Sequence, residues 1–111
     1  MKNFSFILRR NTVADPLTVR VIENELGFLP QWIVDGPSTY RAVFPAPIGV
    51  IPKQVTTIYG DVVQVIVCEG GGDTITINTY YPDGAPLEAE LTDYMVRLVV
   101  LDDLLQTSVT E

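Results

Sequence analysis

The 111-residue chain has no histidine and only one cysteine, Cys68. The absence of histidine removes the usual general base of serine and cysteine hydrolases, and also the commonest transition-metal ligand. One cysteine cannot form an internal disulfide or a multi-cysteine metal site. Because Cys68 lies in a run of β-branched residues, we expect it to be a small buried core residue. We therefore predict a protein that is not an enzyme and that uses no cofactor or metal.

Long apolar segments are also missing. No apolar run exceeds four residues, far below the roughly 20 that a membrane helix needs. The stretch Phe4–Leu8 is shorter than the apolar region of a signal peptide, which has about 7–15 residues. We expect a protein that is made in the cytoplasm of its host cell and has no membrane partner.

Basic residues are scarce, with seven Lys and Arg against 14 Asp and Glu and a formal net charge of −7. This charge repels phosphate backbones, so we expect no nucleic-acid partner. Residues 61–111 hold ten of the acidic residues and one basic residue, Arg97. The asymmetry permits head-to-tail self-association, a basic face against an acidic one. A solvated acidic surface is the simpler interpretation, and we favour it.

The pattern that is present is an alternation of apolar and polar residues with a period of two, which is typical of β-strands. Turn residues such as Asp35–Ser38 and Gly60-Asp61 separate the alternating segments. The predicted strands are Lys2–Arg10, Leu17–Ile22, Gln31–Asp35, Thr39–Phe44, Val55–Tyr59, Val62–Glu69, Thr74–Tyr81 and Tyr94–Leu101. We predict a single all-β domain over residues 1–111, an antiparallel β-sandwich or flattened barrel of seven to eight strands.

Three segments between or after these strands have their own predictions. Residues 45–52 contain three prolines, which cannot donate to a ladder, so we expect an extended crossover that could pass from one sheet to the other. Gly70–Asp73 resembles a phosphate loop in its glycines, but a strand follows it, so we predict a hairpin turn. Asp102–Gln106 could form a short helical turn or a loose tail.

Two predicted strands are apolar on both faces, at residues 62–68 and 96–101. Packing between two sheets covers only one face of a strand. The second face therefore needs a loop, the chain terminus or another subunit. We take this as an indication of a homo-oligomer.

The aromatic residues are the remaining candidates for a binding site or interface: Trp32, Tyr40, Tyr80 and Tyr81. Flat rings can stack on sugars, although aromatic side chains in strands usually pack in the core. Adjacent strand residues point to opposite faces, so we expect at least one of Tyr80 and Tyr81 to face outward or an interface. The carboxylates Glu88 and Glu90 are predicted to be exposed loop residues rather than a glycosidase pair.

Three stretches of the chain resemble a group of small uncharacterised proteins that phages and prophages of Bacteroidetes encode near virion structural genes. Residues 16–27 are similar to a V-x-E-N-x-L-G signature. Trp32, with Gly36 and Tyr40 after it, is similar to a second pattern. The third stretch comprises Thr74–Ile77, Asp83-Gly84, and Met95–Val99 with its embedded arginine.

The resemblance implies a β-sandwich protein of a virion or of virion assembly, and it carries no catalytic residues. We therefore expect a non-enzymatic structural or adaptor protein of a bacteriophage particle, located in the virion, which contacts other virion proteins. The alternative is a β-sandwich module that binds a carbohydrate or a receptor through the aromatic residues, with a glycan as its partner.

Overall fold

The computed structural model describes residues 1–58 and 64–101. Within these ranges the chain forms eight β-strands, all paired antiparallel. The strands are β1 (Lys2–Arg10), β2 (Thr18–Asn24), β3 (Gln31–Val34), β4 (Thr39–Val43), β5 (Gly49–Ile58), β6 (Gln64–Gly72), β7 (Thr74–Tyr80) and β8 (Leu91–Val100). In the described part of the chain, no helix has the length and apolar character needed to cross a bilayer.

The strands form two sheets, one with the order β2-β1-β8 and one with the order β3-β4-β7-β6-β5. On one side the sheets are joined, because Val50 and Leu101 exchange two backbone hydrogen bonds of 2.8 and 2.9 Å. On the other side the edge strands β2 and β3 are connected by residues 25–30 but do not pair with each other. The structure is therefore a β-sandwich that is closed on one side and open on the other, which confirms the predicted all-β fold.

The core is built by alternate residues of facing strands. Phe4, Phe6 and Leu8 of β1 are fully buried, as are Tyr40 and Ala42 of β4. These residues alternate along their strands, because successive side chains of a strand point to opposite sides and every second one faces the core. The other buried apolar residues in the described ranges are Leu26, Phe44, Ile48, Ile51, Ile66, Cys68, Ile75, Ile77, Leu87, Ala89, Leu91, Val96, Leu98 and Val100.

The proline-rich segment differs from its prediction. Residues 49–52 open β5, which is the edge strand of the five-stranded sheet. An edge strand tolerates proline because one of its sides carries no ladder, and the register shifts between Ile51 and Gln54, next to Pro52. The suggested passage between sheets is wrong, since β4 and β5 belong to the same sheet.

The glycine segment forms the predicted hairpin. Gly71 pairs with Thr74, so that Gly72 and Asp73 make a two-residue turn between β6 and β7. Gly72 has a φ of 62°, a backbone conformation that glycine adopts without steric cost. Two predictions, the hairpin at Gly60-Asp61 and the turn at Asp102–Gln106, lie outside the described residues.

The last strand begins earlier than its predicted start at Tyr94. β8 starts at Leu91 and is interrupted by a register shift, where Asp93 has a φ of 57°. This β-bulge breaks the alternation of the side chains, so a period-two pattern alone does not extend across it.

Candidate interaction surfaces

Trp32 of β3 faces the interior. Its ring stacks on Phe4 with centroids 6.3 Å apart and makes a T-shaped contact with Phe6 with centroids 5.2 Å apart. The side chain is half-buried and packs against the core. Trp32 therefore stabilises the contact between the two sheets.

Tyr40 is fully buried and cannot contact a ligand at the surface. Its hydroxyl accepts a hydrogen bond of 3.3 Å from the Arg10 guanidinium, which also lies over the Tyr40 ring at 5.7 Å. Arg10 itself is 7% exposed. Its other hydrogen bonds go to the backbone carbonyls of Val13, Asp15 and Gly36. The pair is a structural cluster that joins β1 to the hairpin of β3 and β4.

Tyr80 and Tyr81 are both half-buried and do not form a joint platform with Trp32. Tyr80 pairs with Val65 on the outer face of the five-stranded sheet. Tyr81 packs against the core and donates a hydrogen bond of 3.3 Å to the Glu90 carboxylate. Loss of solvent and the charge of Glu90 raise the pKa of the Tyr81 phenol. The structure thus separates the four predicted aromatic residues.

Where the structure describes the chain, its acidic loop residues do not converge on a metal site. Among residues 1–58 and 64–101, no group of three or more acidic or cysteine side chains could hold a metal ion. Glu88 and Glu90 are both exposed, as predicted.

Cys68 is 1% exposed and lies in the core, as predicted. Burial raises the pKa of its thiol from the ordinary value of 9.0 to about 12. The thiolate is the reactive form. The position therefore suppresses nucleophilic chemistry.

We expect Cys68 in the folded protein to resist alkylation by iodoacetamide at pH 8. The raised pKa lowers the thiolate fraction roughly a thousandfold at this pH, and burial also blocks access. Mass spectrometry of the protein, folded and in concentrated guanidinium chloride, measures the two labelling rates. Similar rates in both conditions would contradict the buried position.

The open side of the sandwich exposes a set of apolar side chains, which we call the open-side strip: Val21, Phe28, Leu29 and Val34. They lie on β2, on β3 and on the connection between these strands, and their exposed fractions are 37%, 39%, 74% and 43%. Exposed apolar side chains on and between unpaired edge strands are typical of protein-protein contact sites.

The second feature is a trough of about 490 Å³ on the outer face of the three-stranded sheet. Its floor is Ser5 of the central strand β1, which pairs with Glu23 of β2 on one side and Arg97 of β8 on the other. The remaining lining residues are Asn3, Ile22, Met95, Leu98 and Val99. The small side chain of Ser5 between longer neighbours makes this face concave.

The charge asymmetry of the sequence is rearranged by the fold. Arg97, the single basic residue of the second half of the chain, lies on the same sheet as the basic residues of β1 and β2. As a result, five of the seven basic residues but only two acidic residues lie on β1, β2 and β8.

Comparisons with protein-family models, curated proteins and solved structures find no match to this chain. The similarity to phage-encoded proteins therefore stays a prediction.

Sequence reasoning missed both surfaces. The signal for the open-side strip was the apolar pair Phe28-Leu29 within a turn segment, between Gly27 and Pro30. Nothing in the sequence indicated the trough. Its central residues, Ser5, Glu23 and Arg97, are far apart in the chain, and only strand pairing brings them together.

Proposed function

We propose that this chain is a non-catalytic structural or assembly protein of a bacteriophage particle, a capsid decoration, head-fibre or tail component that works through protein-protein contacts. The observation that carries the contact role is the open-side strip. The resemblance described above supplies the phage context.

The two sides of the sandwich differ in how well their strand edges are protected against pairing with other chains. The opposite side is joined by Val50 and Leu101, and its edge strand β5 carries Pro52, Lys53 and a register shift. Proline, lysine and bulges on an edge strand hinder pairing with other chains. The β2–β3 side instead exposes Leu29 and Phe28. A partner that covers this side would remove these apolar side chains from water.

The aromatic residues give less support to the alternative of carbohydrate binding. A sugar platform needs exposed rings on one face, whereas Tyr40 is fully buried and Trp32 packs on Phe4 and Phe6.

We expect the double variant Phe28→Ser/Leu29→Glu to lose incorporation into phage particles by at least about tenfold, because truncating central apolar contacts weakens an interface by about 1–2 kcal/mol or more each. The measurement is quantitative mass spectrometry of purified particles that carry the tagged wild-type chain or the variant. Both positions are exposed, so the variant should keep the far-ultraviolet circular dichroism of the wild type.

The matched control is Val55→Glu, which places a charge at an apolar position of β5 that is 59% exposed. It should incorporate like the wild type. Absence of the wild-type chain from particles would contradict the proposed function. Binding of host polysaccharide in calorimetry, with equal affinity for the wild type and the double variant, would also contradict it.

A further inference from the structure

We propose that a second copy of this chain docks on the outer face of the three-stranded sheet, so that the two troughs face each other about a twofold axis parallel to β1. The inference rests on the proposed contact role and deepens it, because it names one partner and the surface that binds it. This surface is separate from the open-side strip.

Charged residues of opposite sign lie on the two sides of β1. Glu23, Ser5 and Arg97 form one row across the sheet, with the acidic and the basic residue on opposite sides of β1. Neighbouring strands lie about 4.8 Å apart, so the two charged residues are separated by roughly 10 Å between Cα atoms. Within the described part of the chain, neither side chain has an ion-pair or hydrogen-bond partner. The row therefore presents two charges of opposite sign that no described residue neutralises.

A twofold rotation pairs these charges between two copies. The two copies are related by a rotation of 180° about an axis that lies between them and runs parallel to β1. This rotation exchanges the β2 side and the β8 side of β1 but does not shift any row along the strand. It places Glu23 of each copy over Arg97 of the other. An isologous interface requires this reciprocity, in which the same pair of positions meets twice. The row is self-complementary under this rotation.

Apolar side chains also line both flanks of the trough. Ile22 beside β1 on one flank is 53% exposed, and Met95 on the other flank is 42% exposed. Met95 pairs with Ile7, whereas Ile22 lies in the β-bulge between the partners of Ser5 and Phe6. The rotation therefore brings Ile22 of each copy to a height next to that of Met95 of the other. Ser5 of each copy lies over Ser5 of the other, so the longer side chains on the flanks of the trough make the contact. Burial of these side chains supplies the hydrophobic part of the contact.

The area of the outer face of the three-stranded sheet determines the expected affinity of the dimer. β1 has nine residues, and three strands of this length cover a footprint of about 30 by 15 Å, or roughly 450 Å² on each copy. Two copies bury about 900 Å², below the roughly 1,200–2,000 Å² of stable interfaces. We therefore expect a reversible dimer with a dissociation constant in the micromolar range, roughly 10 to 500 µM.

Charge reversal tests the reciprocal contact. Sedimentation velocity of the full chain between about 10 and 500 µM should show a monomer–dimer equilibrium for the wild type. Glu23→Arg and Arg97→Glu should each raise the dissociation constant about a hundredfold, tenfold for each of the two symmetry-related pairs. An equimolar mixture of the two variants should dimerise again, because both arginines of the first variant would then face both glutamates of the second. A chain that carries both substitutions should also dimerise.

The matched controls are Glu69→Arg and Lys53→Glu, the same charge changes on the five-stranded sheet, which should leave the equilibrium unchanged. A monomeric wild type at every concentration, equal effects of the controls, or a mixture that stays monomeric would overturn the proposal. Larger open assemblies that only Arg97→Glu disrupts would also overturn it, since they indicate head-to-tail contacts. Incorporation of the Arg97→Glu variant into particles distinguishes the proposed dimer from the proposed function. If the variant is monomeric but is still incorporated, the proposed function holds.

Discussion

Gly70→Ala is expected to destabilise the protein by about 3 kcal/mol or more, because the new Cβ has no space. A Cβ at this position would lie 2.2 Å from the Thr74 carbonyl oxygen and 3.1 Å from the Ile75 Cα. Both atoms belong to the backbone of β7, so no side-chain rotation relieves the clash. Gly70 also pairs with Ile51 of β5, which restricts movement away from β7.

The adjacent glycine provides the control. A Cβ at Gly71 would meet only the Gly49 carbonyl oxygen, at 4.0 Å, so Gly71→Ala should change the stability by less than about 1 kcal/mol. Urea unfolding of the wild type and both variants gives the three free energies. The expected fall in Tm for Gly70→Ala is about 12 °C, at roughly 4 °C for each kcal/mol. Equal stability of the two variants would show that the β6–β7 hairpin relaxes freely.

Arg10→Met should cost at least about 3 kcal/mol of stability, because the guanidinium makes several hydrogen bonds and each bond from a charged donor contributes about 1.5–3 kcal/mol. The guanidinium donates to the carbonyls of Val13, Asp15 and Gly36 at 2.7, 3.0 and 3.1 Å. Methionine preserves the length of the side chain but provides no donor. The loss uncouples β1 from the turn after it and from the β3–β4 hairpin.

Arg10→Lys separates charge from geometry. Lysine retains the positive charge but lacks the planar fork that reaches several carbonyls at once, so the stability of this variant should fall between those of the wild type and Arg10→Met. Arg9→Met is the exposed control. It removes a 3.0 Å ion pair with Asp93 in which both side chains are more than half exposed, and should cost less than about 1 kcal/mol. Denaturant unfolding that finds Arg9→Met as costly as Arg10→Met would refute the role of the buried cluster.

The predicted strands were most accurate where one face of the strand is buried and the other is exposed to solvent. In β7, Ile75, Ile77 and Thr79 are buried while the residues between them are half-exposed, and the strand was predicted within one residue of its end. The prediction was poorer at residues 49–52, because an edge strand accepts the proline that argued against a central strand. It was also poorer at residues 91–93, because a β-bulge interrupts the alternation of side chains there.

The candidate surfaces were harder to predict than the strands. Tyr40 and Trp32 are aromatic residues on strands, and their sequence positions could not distinguish an interior face from an exposed one. Arg10 gave no signal of burial, because a charged residue is buried only when distant carbonyls satisfy it. Those carbonyls are brought to it by the turn at residues 11–16 and by the β3–β4 hairpin.

Alternation of side chains within each segment, together with turn residues between segments, determined that this chain forms antiparallel strands around an apolar core. Those signals are local and depend on only a few neighbouring residues. The tertiary structure alone decided which strands are edges, which side of the sandwich stays open, and that Glu23, Ser5 and Arg97 form one row. The physical reason is that strand order and register depend on pairing between distant segments, which no local pattern encodes.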